Sequence, residues 1–135
     1  MNSIKLFPSI NELTKLNEFI HNELSIYDSN VDLIVEEIFV NIVNYSKCTY
    51  INVNIGLTDE SILKIEFVDD GFKFNPIERD SPDYPTSIDE AEIGGLGIHL
   101  VKNLADEFYY YYENNENHLT VIKNVKAWRT KLEIS

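Results

Sequence analysis

A chain of 135 residues with 44% hydrophobic content has room for one globular domain with its own core and is too short for two ordinary ones. Eleven Lys and Arg stand against 23 Asp and Glu, a formal charge of -12 with no basic cluster, which disfavours nucleic acid and anionic membrane surfaces as partners. The single cysteine, Cys48, excludes an internal disulfide, and the lack of a signal peptide or long apolar run predicts a cytoplasmic protein.

Ser3 to Phe7 reads as a short strand ended by Pro8, and Ser9 to Glu12 has the Ser-x-x-Glu form of a capping box. Ile10, Leu13, Leu16, Ile20 and Leu24 then recur at helical spacing up to the polar break Tyr27 to Asn30. A second helix is marked by the stripe Val31, Ile34, Val35, Ile38, Phe39, Ile42 and Val43. Glu37 and Asn41, four apart, lie on one face of it just beside the stripe, and Asn44 extends this polar flank. The flank is either an ordinary solvated surface or a carboxylate and an amide presented to a ligand.

Ile51, Val53, Ile55 and Leu57 alternate, as do Leu63, Ile65 and Phe67 after the polar turn Thr58 to Ser61, so the two runs predict a hairpin. Asp69-Asp70-Gly71 follows the second strand directly. It can be a plain turn, or an acidic group aimed at a ligand donor with Gly71 allowing close backbone approach. Residues 72 to 93 lose all periodicity and hold three of the four prolines and six acidic residues, which predicts a lid. Gly94, Gly95 and Gly97 close this loop and open a short helix running to Ala105, where backbone N–H groups and the helix dipole can cradle an anion. The cluster lacks the Lys-Ser/Thr of a Walker loop and does not follow a strand as a dinucleotide fingerprint does. Phe108 to Tyr112 and Leu119 to Lys123 predict a closing pair of strands around Asn114-Asn115, and Trp128, Thr130, Leu132 and Ile134 predict one more in the tail from Val125 to Ser135. His21, His99 and His118 have no metal-ligand spacing.

In this order, the Glu37/Asn41 helix, Asp69-x-Gly71 and the glycine cluster resemble the N, G1 and G2 boxes of the GHKL ATPase superfamily. Gly94 to Phe108, followed by Leu119-Thr120-Val121, looks most like the bacterial anti-sigma regulatory factors with serine/threonine kinase activity. The likeness spans Ile4 to Lys123.

The resemblance implies one α/β two-layer sandwich over residues 1 to 135, with a mixed, mainly antiparallel sheet and helices on one face. It implies ATP as ligand with Mg2+ held by Asn41, the adenine amine taken by Asp69 in a pocket shaped by Gly71, and phosphate cradled by Gly94, Gly95 and Gly97. Thr120 would share a water with Asp69 near the adenine, and Glu37 would be the general base. A sigma factor and a STAS-type anti-anti-sigma protein are the implied partners, and a homodimer is allowed. Lys73 stands where relatives often have a second glycine, Tyr45 where many have a histidine and Leu96 where many have an arginine. A rival reading keeps the ATP site but makes the chain a non-catalytic, ATP-gated binding module. A histidine-kinase catalytic domain is disfavoured, since no dimerisation helix pair bearing a phosphoacceptor His precedes it.

Overall fold

The computed structural model describes residues 2–24, 28–59, 61–79 and 96–125. Five strands, β1 (Asn2–Leu6), β2 (Ile51–Thr58), β3 (Ile62–Asp69), β4 (Glu107–Glu113) and β5 (Glu116–Asn124), form one sheet in the order β1-β2-β3-β5-β4. Every neighbouring pair is antiparallel, so among the described residues the sheet contains none of the parallel pairing that a mixed sheet would have. Helices α1 (Leu13–Glu23), α2 (Ser29–Tyr45) and α3 (Leu96–Leu104) complete a two-layer sandwich.

Register explains which residues meet the helices. Ile4, Val53, Phe67, Leu119 and Tyr110 share one row across the sheet, and Ile55, Ile65, Val121 and Phe108 share the next. These rows join Leu16 and Ile20 of α1, the α2 stripe and Val101 of α3 in a single core. Phe39 and Phe67 are fully buried within it, and truncating either to alanine should cost about 3–5 kcal/mol.

Local chemistry sets the element boundaries. Ser9 Oγ accepts from Asn11 N–H at 3.2 Å, but Glu12 reaches past Ser9 to the Phe7 N–H at 3.1 Å, so the expected capping box is only half formed. A 3-10 turn, Ile10–Glu12, intervenes before α1 and takes Ile10 out of the helical period, leaving it exposed. Asp28 caps α2 by accepting from Asn30 and Val31 N–H at 2.8 and 3.3 Å. The Asn114-Asn115 turn has φ of 53° and 63°, the pair of left-handed residues that a two-residue hairpin loop of the primed type requires.

The structure begins β1 one residue earlier than the sequence suggests and leaves Phe7 72% exposed. Within the Tyr109–Tyr112 run only Tyr110 is half-buried, because β4 is an edge strand. No helix among the described residues is long and apolar enough to cross a membrane.

Candidate nucleotide site

Along β3 the inward positions Leu63, Ile65 and Phe67 are followed two residues later by Asp69, which alternation sends to the same face. Its exposure is 1%, so its carboxylate must find donors inside the protein. Three converge on Oδ1: the Ser46 hydroxyl, the Gly71 N–H at 2.9 Å and the Asn117 amide at 3.1 Å. Oδ2 takes no hydrogen bond from the described residues. The carboxylate is thereby oriented with one oxygen committed to the protein and one left to accept from a ligand amine.

Gly71 is a close-approach glycine. A β-carbon there would stand 2.0 Å from Ser46 Oγ and 2.2 Å from the Ser46 carbonyl oxygen, and the same carbonyl accepts from Phe72 N–H at 2.8 Å. The exit of β3 is thus pressed against the end of α2, where Lys47 turns the chain through the left-handed region at φ 55°. Asp70 ties the following segment by accepting from Thr49 N–H at 2.7 Å, Tyr50 N–H at 3.2 Å and the Thr49 hydroxyl. Burial raises its pKa, but these hydrogen bonds outweigh it and leave the carboxyl below its ordinary value.

The middle of α2 carries the second half of the site. Asn41, read from sequence as a flank residue, is 1% exposed; its amide nitrogen donates to the Glu37 carbonyl at 2.8 Å and its Oδ1 has no hydrogen-bond partner among the described residues. An orphaned buried acceptor costs about 1–3 kcal/mol. A neutral amide oxygen suits Mg2+, a hard cation that takes oxygen ligands, and Asn41 therefore fits the role of metal ligand. Asn44 is exposed and takes no part.

Glu37 lies one turn earlier and is half-buried. Burial first, and the Glu36 carboxylate second, raise its pKa above the ordinary value. Its carboxylate lies over Gly97, where an added β-carbon would be 2.0 Å from Oε2. Gly97 sits in the first turn of α3, the end at which a helix dipole favours anions. The base candidate, the metal-ligand candidate and the anion-favouring helix end are therefore neighbours. Gly94 and Gly95, and all of the expected lid beyond Arg79, lie outside the described residues, as does the tail beyond Val125.

Thr120 is placed elsewhere. It pairs with Glu66 of β3 and Tyr109 of β4, three residues along β5 from the partner of Asp69, so alternation directs it to the opposite face of the sheet. The residue opposite Asp69 is Asn117, which the sequence reading did not single out. Extending the β5 alternation back from Leu119 by two residues would have found it. Ser46 was also missed, since a serine just past a helix end carries no signal of its own. Tyr45 packs its ring against Phe74, centroids 6.0 Å apart.

A two-layer sandwich with a buried, half-satisfied Asp at a central strand end, an inward Asn on the facing helix and a glycine at the next helix start defines an ATP-binding domain of the GHKL type. The chain belongs to the family described as "Histidine kinase-like ATPase domain", which matches residues 14–123. Among solved structures it is similar to the Acinetobacter baumannii histidine kinase AdeS, with 12% identity and a TM-score of 0.50 over 92% of this chain and 68% of that one. At such identity the likeness speaks to the fold alone. No curated protein matches the chain.

Proposed function

We propose that this ATP-binding domain is a cytoplasmic protein serine/threonine kinase that works as an anti-sigma factor, binding a sigma factor and phosphorylating a serine of a STAS-type anti-anti-sigma protein. The observation that carries the kinase reading is the placement of the Glu37 carboxylate against Gly97, one helical turn from the orphaned Asn41 Oδ1.

Each residue has a task in phosphoryl transfer, which depends on positioning and charge stabilisation more than on covalent chemistry. Asp69 Oδ2 accepts from the adenine amine. Asn41 Oδ1 holds Mg2+, and Gly97, with Gly94 and Gly95 by resemblance, lets backbone N–H groups approach phosphate oxygens. Bound Mg2+ supplies neutralisation of the phosphate charge. Glu37 accepts the proton of the attacking serine hydroxyl, for which its raised pKa suits it better than an ordinary carboxylate.

The test mixes the protein with ATP, Mg2+ and the STAS proteins of the same cell and reads phosphoserine by mass spectrometry. Wild type should phosphorylate one of them, and Glu37→Gln should slow this by ~10² or more while leaving ATP affinity nearly unchanged. Binding of ATP without any phosphoserine would replace the kinase with the ATP-gated binding module.

A further inference from the structure

Asn117 is 2% exposed and sits on β5 directly opposite Asp69. Its side chain makes four hydrogen bonds, two from each end. The amide nitrogen donates to Asp69 Oδ1 at 3.1 Å and to the Phe72 carbonyl at 2.6 Å. The amide oxygen accepts from Phe74 N–H at 2.8 Å and from the Tyr110 hydroxyl at 2.5 Å. A backbone N–H can only donate and a backbone carbonyl can only accept, so Phe74 and Phe72 together fix which end of the amide is which.

We infer that Asn117 is a specificity-determining positioning residue, which holds Asp69 with Oδ2 facing the base and clamps Phe72 to Phe74 onto the same carboxylate. The inference rests on the reading of Asp69 as acceptor of the adenine amine. Without the Asn117 donor, Oδ1 keeps only the Ser46 hydroxyl and the Gly71 N–H, both from the side where β3 meets α2. Nothing from β5 then opposes rotation of the carboxylate. The oxygen that faces the base loses its fixed direction, and the selection of an amine over the carbonyl that guanine carries at that position weakens.

The two ends of the amide can be separated. Asn117→Asp, when ionised, keeps an acceptor for Phe74 and Tyr110 but turns a second negative charge toward Asp69 in place of a donor, whereas Asn117→Ala removes both ends. Tyr110→Phe removes one hydroxyl and leaves the backbone untouched, so it serves where the other two fail to fold.

The experiment measures Mg-ATP and Mg-GTP affinity by calorimetry and amide hydrogen exchange at Phe74 in the nucleotide-free protein. Asn117→Asp should lose roughly tenfold or more in ATP affinity with little change for GTP, while the Phe74 amide stays protected. Asn117→Ala should lose both, with the amides of β2 and β3 still protected. Tyr110→Phe should show a smaller loss of ATP preference. A merely structural Asn117 would move nucleotide affinity and Phe74 exchange together in all three. If wild type does not prefer ATP to GTP, the Asp69 reading has failed; if it does and the folded variants keep that preference, the role of Asn117 is overturned on its own.

Discussion

The carboxylate of Glu37 on α2 rests on the α-carbon of Gly97 in the first turn of α3, so closely that a methyl group at position 97 would stand 2.0 Å from Oε2. Two elements 60 residues apart in sequence are thereby joined where a side chain with a negative charge meets a helix end that favours one.

Gly97→Ala follows directly. The obstructing atoms belong to the end of a flexible side chain, and alanine suits a helix better than glycine, by up to about 1 kcal/mol. The protein should fold with an unchanged or raised Tm while the displaced Glu37 loses its place. Phosphotransfer should fall by roughly tenfold or more, read as kinase rate beside thermal unfolding. A fall in both together would mean that Gly97 serves packing alone.

The raised pKa of Glu37 sets a pH dependence. A base works ionised, so the rate should climb as pH rises through a value above the ordinary 4.5, and this acid limb should vanish in Glu37→Gln. For stability the sign is opposite. The folded state holds the proton more tightly than the unfolded chain does, so the contribution of this group is full below 4.5 and is lost as pH rises through the folded pKa. Denaturant titrations at neutral pH should therefore find Glu37→Gln at least as stable as wild type, and a less stable variant would contradict the assignment.

Gly71→Ala should behave unlike Gly97→Ala. Here the added methyl meets the Ser46 backbone carbonyl at 2.2 Å, which cannot swing away. A cost of about 1–3 kcal/mol is expected from the forced backbone shift, seen as a lower denaturation midpoint, together with loss of nucleotide binding.

Asp69→Asn tests the base contact. The amide can still accept from Gly71 N–H through its oxygen, but it turns an N–H₂ toward the ligand in place of an acceptor. ATP affinity should fall roughly tenfold or more and GTP far less, since the lost bond is one to a charged group. Equal losses for both nucleotides in calorimetry would place the base elsewhere.

The helix α2 was legible because seven apolar residues at one spacing leave no other solution, and six of them are fully buried. Its candidate pair was legible only as an ambiguity: a flank position can be solvated or sealed, and only the fold shows that Asn41 is buried. The hairpin β2–β3 was legible from alternation, though Leu57 is exposed near its turn. The strand β5 was read too short, because its first inward residue is the polar Asn117 and an alternation count ends where the apolar residues end. That same cut-off hid the partner of Asp69, whereas Thr120 came from the resemblance, and its place between the inward Leu119 and Val121 turns it to the other face.

The carbonyl at the end of α2 is fastened to the chain leaving β3, while Glu37 and Asn41 stand further back on the same rod. Ser46 stands nine positions beyond Glu37, a span of about 13.5 Å at 1.5 Å per residue. Under the proposed reading the helix is a ruler laid between the two ends of an elongated ligand, rigid because the helix runs unbroken between the two marks. A nucleoside without phosphates reaches only one mark and inorganic phosphate only the other. One residue inserted between Asn41 and Ser46 would turn the far mark by about 100° away from α3, whatever side chains were kept.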